Sequence, residues 1–373
     1  MKYRLIILLI FVCEISGVSQ GFQQFINMRV LFEPIVVTIS GKPMIYYELH
    51  LTNIASTTIR LKKLEIITAD TTVVATIDQE NLKNRIGAIG TLSKETVKVL
   101  LTDSSSVVYI EFPLLKDKPN TKLFHRLTLE IEQQNTQKTV VVAGAEIALI
   151  HQPRLVLSAP LGAGAWAAVY EPSWERGHRR VFYTVNDKAR IPGRFAIDFI
   201  KLDEQGKYAK NDENQIQNWY GYAADVLAVS DAVVVSVRDD FTESKTLSEH
   251  PRHTADKATG NYVSMDIGNG YFVFYEHLKP GSIRVKPGQK VKTGHVIASI
   301  GFTGQTTGPH LHLHVADGNS PLGAEGVPFA FERFTVLGFY PDFSKFGKQP
   351  WTSIKNSRVL TKERPAPNTV VKF

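Results

Sequence analysis

Cysteine is almost absent from this chain: among 373 residues there is one, Cys13, in an apolar stretch near the N-terminus. If this stretch is removed, no cysteine remains. That excludes a disulfide framework and every metal site built on thiolate ligands. Any metal bound by the rest of the chain must therefore be held by histidine and carboxylate side chains.

Apolar runs long enough to span a bilayer, which takes about 20 residues, are also missing. The N-terminal run Leu5–Cys13 has nine residues and follows the positive charges of Lys2 and Arg4. This pattern is typical of a secretory signal peptide, here residues 1–19 with cleavage after Ser19. We expect an exported protein of the periplasm or cell envelope, without an integral membrane segment after cleavage. An uncleaved anchor is the alternative.

The charge is moderately positive and has no strong pattern. The formal net charge is +7, and removal of residues 1–19 lowers it to +6. Such a charge fits an acidic surface, including cell-wall polymer, as well as it fits nucleic acid. Because no arginine-rich run or aromatic-basic pattern is present, nucleic acid is not an expected partner. The oligomeric state cannot be inferred from the sequence.

After the N-terminal segment no helical period of useful length occurs. Short alternating runs, separated by glycine, proline, asparagine and aspartate, predict β-strands instead. Their spacing predicts an immunoglobulin-like β-sandwich over residues 22–148. His50 and His125 lie isolated in strand-like runs, so we expect them to be structural. The runs are Met44–Leu51, Leu61–Ile67, Val107–Phe112, Leu127–Ile131 and Thr139–Val142.

The second half of the chain is richer in turn signals. Gly268-Asn269-Gly270 between two apolar alternating runs predicts a β-hairpin. The fold class is therefore all-β: the sandwich is followed by a twisted antiparallel sheet with a surface groove. The expected segments are a connector with the first strands at 149–190, the main domain at 191–335 and a basic tail at 336–373.

Histidine marks the candidate site. His310, His312 and His314 alternate with leucine in the run GPHLHLHV. Alternate residues of a strand share a face, so the three imidazoles point one way. A row of buried imidazoles is costly unless each ring nitrogen has a partner, whereas neutral imidazole is a good zinc ligand and proton carrier. A solvated, slightly basic strand is the alternative.

These motifs resemble those of the lysostaphin-type (LytM-like) zinc metallopeptidases, over roughly residues 195–318. Several elements occur in the family's order, which is more specific than any one of them. The resemblance rests on the His-x-His of Gly308–His312, on Tyr275-Glu276-His277-Leu278, on the turn-rich stretch Val285–Gly304, on Gly260–Val263 with Gly268–Gly270, and on Gly221–Ala228.

The resemblance implies roles for individual residues. His312 is expected to bind Zn²⁺. His310 and His277 are expected to flank the reacting carbonyl and to handle the proton and the oxyanion. His314 lies where the family has another polar residue, and we expect it to support the site without binding the metal.

One position departs from the family pattern. The family's His-x-x-x-Asp motif supplies two zinc ligands, and here Asp198 is in place while Arg194 takes the histidine position. A guanidinium stays protonated and cannot bind zinc. His178, just before the strand Val181–Tyr183, is the expected replacement, brought beside Asp198 by a hairpin. Arg194 could instead pair with Asp198 or with a substrate carboxylate.

Two other interpretations stay open. His250, His253 and Asp256 have a spacing that could hold a metal, although their surroundings indicate a solvated insertion. Alternatively, the chain has the fold but not the metal and works by binding. The function we expect is zinc-dependent hydrolysis of peptide bonds in bacterial peptidoglycan by a metal-activated water. A catalytically inactive module that binds the wall or activates another wall hydrolase is the alternative, and an adhesive envelope protein is a more distant one.

Overall fold

The computed structural model describes residues 25–88, 100–114, 122–133, 136–149, 155–174 and 177–373. The expected signal peptide, residues 1–19, lies outside them. Two compact units are present, and each is described by itself. Unit 1 is the described part of Met1–Val36 and Pro43–His151, and unit 2 is the described part of Val37–Lys42 and Gln152–Phe373.

Unit 1 contains two antiparallel sheets. One has the order β1-β3-β7-β6, and the other has the order β5-β4-β8-β9. All five runs expected to be strands lie within strands of this unit. The elements are β1 (Ile26–Val30), β3 (Lys42–Asn53), β4 (Ile59–Thr68), β5 (Val73–Asp78), α1 (Gln79–Lys83), β6 (Ile86–Ala88), β7 (Ser105–Pro113), β8 (Leu123–Gln133) and β9 (Thr136–Ile147). The short strand β2 (Val36–Ile39) belongs almost entirely to unit 2.

Buried side chains from both sheets of unit 1 form one hydrophobic cluster, with Ile45 and Leu49 on β3 and Leu127 and Leu129 on β8 all fully buried. A shared core is what a sandwich requires. The immunoglobulin-like sandwich itself stays a prediction.

His125 on β8 is completely buried in this core. Its Nε2 lies 2.8 Å from the hydroxyl of Tyr47, and its Nδ1 lies 2.8 Å from the carbonyl oxygen of Ala145. Since a carbonyl only accepts, Nδ1 carries the proton and Nε2 accepts from the tyrosine. Burial lowers the pKa of His125 to about 4, so the ring is neutral at physiological pH.

Unit 2 consists mainly of strands as well. Its elements are β10 (Val156–Leu157), β11 (Ala165–Val169), η1 (His178–Arg180), β12 (Tyr183–Val185), β13 (Lys188–Arg190), η2 (Pro192–Phe195), β14 (Ile197–Leu202), η3 (Ile216–Asn218), β15 (Asp225–Leu227), β16 (Ala232–Arg238), η4 (Ala255–Lys257), β17 (Tyr262–Asp266), β18 (Phe272–Glu276), β19 (Lys290–Val291), β20 (Val296–Ser299), β21 (Leu311–Ala316), β22 (Ala330–Phe339), η5 (Phe343–Lys345), β23 (Thr352–Glu363) and β24 (Thr369–Lys372).

Most of these strands form one sheet with the order β10-β22-β24-β11-β14-β21-β18-β17-β16-β19, and β23 pairs with β22. The pairs are antiparallel, except that β10 runs parallel to β22. The expected hairpin at Gly268–Gly270 is confirmed: it joins β17 and β18, and all three turn residues have positive φ. The all-β, mainly antiparallel fold class is therefore confirmed.

Helices are short wherever the structure describes the chain: α1 has five residues, and η1 to η5 are single 3₁₀ turns. Within the described ranges, no helix combines the length and the apolar character needed to cross a membrane.

The last segment, residues 336–373, was expected to be a basic tail. It lies in unit 2 together with residues 191–335. β24 lies inside the main sheet, between β22 and β11. Val370 and Val371 are fully buried there. With only two apolar residues this strand carries little local signal, so its place in the sheet depends on partners at least 30 residues earlier in the chain.

We predict that unit 1 loses stability as the pH falls from about 6.5 to about 4. An unfolded histidine binds its proton near pH 6.5, whereas His125 in the folded state does so only near pH 4. Unfolding therefore takes up a proton between these values, and the full effect of this group is about 3 kcal/mol. Calorimetry across this window measures it.

The matched control is His125→Gln, which can still bond to Tyr47 but does not titrate. All four tryptophans lie in unit 2, so tryptophan fluorescence identifies the transition of that unit and leaves the other transition to unit 1. The same acid dependence in wild type and His125→Gln would contradict the prediction.

Candidate metal centre

Strand β21 brings histidines to the centre because successive residues of a strand point to opposite faces of the sheet. Leu311 and Leu313 are fully buried in the main core of unit 2, so the histidines between and beside them face the other side of the sheet. His310, just before the strand, and His312 and His314 within it are all less than a tenth exposed. The expected common face of the three imidazoles is therefore present.

The two strands beside β21 each bring a carboxylate to His312. In the antiparallel register, Asp198 on β14 is directly opposite His312 on one side, and Glu276 on β18 is directly opposite it on the other. Residues directly opposite each other in neighbouring strands share a face of the sheet. The imidazole of His312 therefore lies between two acidic side chains.

His178, Asp198 and His312 form a compact set of possible ligands, with donor atoms within 4.8 Å of one another. The Nε2 of His178 lies 3.4 Å from Asp198 Oδ2, and the Nδ1 of His312 lies 2.9 Å from Asp198 Oδ1. The structure thus brings His178, the expected replacement ligand, beside Asp198.

This set suits zinc. Ligand atoms about 2.0–2.2 Å from a tetrahedral zinc lie roughly 3.3–3.5 Å from one another, close to the observed spacings. Two imidazoles and one carboxylate are ligands that zinc accepts, and three protein ligands leave one position for a reacting group. Burial, together with His312 and His310, lowers the pKa of His178 to about 4 against the attraction of Asp198. The ring is then neutral, with a lone pair available to a metal.

The charges around His312 favour a cation. Burial by itself would raise the pKa of Asp198, but the neighbouring imidazoles His178, His310 and His312 hold it well below its usual value. Burial likewise opposes protonation of His312, but the carboxylates of Glu276 and Asp198 outweigh it and raise the pKa of His312. The two carboxylates thus create a negative potential at this ring, which either a proton or a metal ion relieves.

His178 reaches the centre through a close contact between two turns. It begins η1, and the hairpin of β12 and β13 leads from η1 back to η2. A Cβ atom on Gly193 in η2 would lie only 2.9 Å from the Cβ of His178. The absence of a side chain at Gly193 therefore lets the histidine come this near to β14.

His310 and His277 lie beside the ligand set. Their ring centroids are 4.8 Å apart, and His310 Nε2 lies 3.4 Å from Asp198 Oδ1. His277 Nδ1 is 2.8 Å from the carbonyl of Thr303, and His310 Nδ1 is 2.8 Å from the carbonyl of Gly308. Because a carbonyl oxygen only accepts, each Nδ1 carries a proton, and each neutral ring keeps a lone pair on Nε2.

His277 has a left-handed backbone conformation with φ of 63°. A non-glycine residue in this region costs about 1–3 kcal/mol, and such residues concentrate at functional sites. Burial and the neighbouring His310 and His312 lower the pKa of His277 well below its usual value. The residue is thus held in a strained backbone and as a neutral ring.

Glu276 and His314 form a group on the far side of His312. The Nε2 of His312 lies 3.2 Å from the Nδ1 of His314, which lies 3.7 Å from Glu276 Oε1. Burial raises the pKa of Glu276 to about 7. In the sequence, Glu276 stands out only as part of the motif Tyr275-Glu276-His277-Leu278. Its position immediately before His277, at the end of a strand, was the available signal.

The partner that the structure gives Arg194 is Glu325, which was not one of the two expected partners, Asp198 and a substrate carboxylate. Arg194 Nη1 lies 2.5 Å from Glu325 Oε1, and both side chains are about 95% buried, with exposures of 6% and 4%. The amide of Gly326 also donates to the carbonyl of Ile191, at 3.1 Å. The arginine therefore anchors turn η2, and nothing in the sequence marks Glu325 as its partner.

The other histidine segment is not part of this set. His250 Nε2 lies 2.7 Å from the carbonyl of Gly304, and the rings of His250 and His253 are 5.4 Å apart. Among the groups of possible ligands in the described ranges, none includes His250, His253 or Asp256. The segment is next to Gly304, in the loop that leads towards His310.

We predict that Gly193→Ala weakens zinc binding about tenfold, the lower end of what disturbing the support of a ligand costs. The added methyl group pushes His178 away from Asp198. Competition with a chromophoric chelator measures the affinity. Gly162→Ala is the matched control, because no atom lies within 4 Å of the position of its Cβ. Equal affinity in both variants would refute the role assigned to Gly193.

Arg194→Ala is expected to destabilise unit 2 by about 3 kcal/mol, because it removes the nearer of two arginines beside the buried carboxylate of Glu325. The other arginine, Arg190, lies 3.8 Å from this carboxylate. Denaturant unfolding followed by tryptophan fluorescence reports this unit. Lys292→Ala is the control, since Lys292 forms an exposed ion pair with Asp231 and such pairs contribute little. Similar unfolding midpoints for the two variants would show that the buried ion pair does not contribute to the stability of unit 2.

The sequence of unit 2 has relatives among known proteins. Residues 216–323 match Peptidase family M23. Over 73 residues the chain is 46% identical to Peptidoglycan DD-endopeptidase ShyA of Vibrio cholerae serotype O1, and the match covers 19% of this chain and 16% of that protein. Over 56 residues it is 46% identical to an uncharacterized metalloprotease of Buchnera aphidicola, covering 15% and 14%. The matches thus span about a sixth of these curated relatives.

Among solved structures, the catalytic domain of lysostaphin from Staphylococcus simulans is similar in structure. The sequence identity is 18% and the TM-score is 0.24, and the match covers 46% of this chain and 88% of that one. A zinc containing peptidase from Vibrio cholerae has 15% identity and a TM-score of 0.24, covering 83% and 87%. These scores carry no inference about the site.

The family match bears on the histidines directly. It includes His277, His310 and His312 but begins only at residue 216, after His178 and Asp198 in the chain. It confirms the resemblance found in the motifs: residues 216–323 of this chain form a Peptidase family M23 domain.

Proposed function

We propose that this chain is a zinc-dependent endopeptidase that hydrolyses peptide bonds in bacterial peptidoglycan. The observation that carries the proposal is the set His178, Asp198 and His312, with His277 and His310 beside it. A ligand set and two proton-carrying groups in one place are the parts that metal-assisted hydrolysis needs.

In this proposal zinc is held by His178, Asp198 and His312. When bound, the ion supplies Lewis acidity, which polarises the scissile carbonyl and lowers the pKa of water to about 7. The side chain of His178 is 37% exposed, whereas those of His310 and His312 are 8% exposed. The centre thus meets solvent on the side of His178, and the substrate peptide approaches there.

His310 and His277 supply the proton chemistry. Their neutral tautomers both present a lone pair at Nε2, since the carbonyls of Gly308 and Thr303 hold the Nδ1 protons. One ring takes the proton of the attacking water and passes it to the leaving amine. The other, when protonated, donates to the oxyanion that develops on the carbonyl. The fixed carbonyl contacts hold both rings in place for these steps.

The substrate class comes from similarity and from the expected location. Relatives over part of the chain are named as peptidoglycan DD-endopeptidases, and the same fold can serve other substrates. The N-terminal segment predicts export, so the proposed location is the periplasm or cell envelope, where peptidoglycan is the available substrate. The formal net charge of +7 suits an acidic wall polymer.

The test is hydrolysis of purified peptidoglycan, with the released peptides identified by mass spectrometry. His178→Ala, Asp198→Ala and His312→Ala are expected to abolish hydrolysis together with the zinc ion held by these three residues, because two ligands are too few for a catalytic ion. His310→Ala and His277→Ala are expected to keep the zinc of the wild type and lower kcat by about 10²–10⁴.

His253→Ala is the control, a histidine in the same unit but outside the ligand set. Wild-type hydrolysis by His178→Ala would remove this residue as a ligand. If the wild type binds no zinc after reconstitution and cleaves nothing, the chain is a non-catalytic module that binds the wall or activates another hydrolase. Cleavage by a chain lacking residues 22–148 would rule out an adhesive N-terminal unit as the main function.

A further inference from the structure

His312 has donor groups at both of its ring nitrogens. Its Nδ1 faces Asp198, and its Nε2 faces His314. Glu276, His312 and His314 form one group of possible ligands, with donor atoms within 4.8 Å of one another. On this second side the Nε2 of His312 lies 3.2 Å from His314 Nδ1, and His314 Nδ1 lies 3.7 Å from Glu276 Oε1. The three residues are each at most 6% exposed.

Hydrogen bonds alone do not satisfy this group. His312 Nε2 and His314 Nδ1 can share one hydrogen bond, with either nitrogen as the donor, but Glu276 Oε1, 3.7 Å from His314 Nδ1, is too far away to take part. Glu276 Oε1 is buried and has no hydrogen-bond partner in the described part of the chain. A buried carboxylate oxygen without a donor or cation is costly.

A metal ion removes this conflict. The ring nitrogens of His312 and His314 and the carboxylate of Glu276 would all offer lone pairs to the same point. Ligands about 2.0–2.2 Å from zinc are roughly 3.3–3.5 Å apart, and the spacings of 3.2 and 3.7 Å fall on either side of that range. The ring of His314 is also fixed, because it stacks on Phe274 at a centroid distance of 4.7 Å and an interplanar angle of 11°.

We propose that Glu276, His312 and His314 form a second site for a zinc-class divalent cation, with the imidazole of His312 bridging it to the first. On binding both ions His312 gives up its remaining ring proton, which passes to solvent. The site goes beyond the proposed hydrolysis. It shares His312 with the hydrolytic centre but does not require that peptide bonds are cleaved.

The burial of this second site indicates a structural function. Its three ligands are each at most 6% exposed, so a fourth coordination position there lies out of reach of a peptide substrate. Here the ligands come from neighbouring strands, Glu276 from β18 and His312 and His314 from β21. The ion would join these strands directly behind the catalytic face and hold the ring of His312 in its orientation.

The test is the metal content of the purified full chain after loading with zinc, measured by native mass spectrometry and elemental analysis. We expect two zinc ions in the wild type, one in Glu276→Gln, one in His178→Ala and none in His312→Ala. Glu276→Gln has the same shape as the wild type. Glu65→Gln, which removes a buried carboxylate of unit 1 paired with Arg126, is the matched control and should keep two.

Copper provides a readout that a merely structural role for these residues would not change. With Cu²⁺ in both sites, an imidazolate bridge couples the two spins, so the electron paramagnetic resonance intensity falls well below that of two isolated ions. His314→Gln, which breaks the second site, should restore the signal of one isolated Cu²⁺. This comparison also serves if Glu276→Gln fails to fold.

The possible results separate the two proposals. One zinc in the wild type that is kept in Glu276→Gln and lost in His178→Ala would overturn the second site and leave the hydrolytic centre. Zinc lost in Glu276→Gln but not in His178→Ala would support the second site and remove the first. Binding of no metal by the wild type would overturn both.

Discussion

The structure of the centre depends on the register in which β21 pairs with β14 and β18. This pairing puts Asp198 and Glu276 directly opposite His312, one on each side. A shift of either neighbour by one residue would turn its carboxylate to the other face of the sheet. The leucines of β21, fully buried in the core, hold the register, because any slip would expose them and bury polar groups.

The proposed replacement of the missing ligand involves two turns. Arg194, where the family resemblance leads us to expect a histidine, forms a buried ion pair with Glu325. That pair and the bond from Gly326 to Ile191 fix turn η2. Gly193 in the same turn leaves room for His178, so the proposed replacement ligand comes from a different turn than the expected one.

Much of the candidate site could be predicted from local sequence patterns. The alternation of histidine and leucine predicted a strand with one polar face, and the glycines at 268 and 270 predicted the hairpin before it. His178 was proposed from its distance along the chain to Asp198. Glu325 and β24 could not be found in this way, because their partners are far apart in sequence and their own segments carry no distinct pattern.

The sequence by itself determined the residue types and their local spacing: an all-β chain, a histidine row, and ligands restricted to imidazole and carboxylate by the lack of cysteine. Hydrophobic periodicity and composition are properties of short segments, so these features can be recognised without knowledge of the fold. Only the tertiary structure decided which carboxylates face His312 and that Arg194 is paired with Glu325. Strand partners and buried ion pairs are chosen by packing and desolvation between segments tens to more than a hundred residues apart, which no local pattern records.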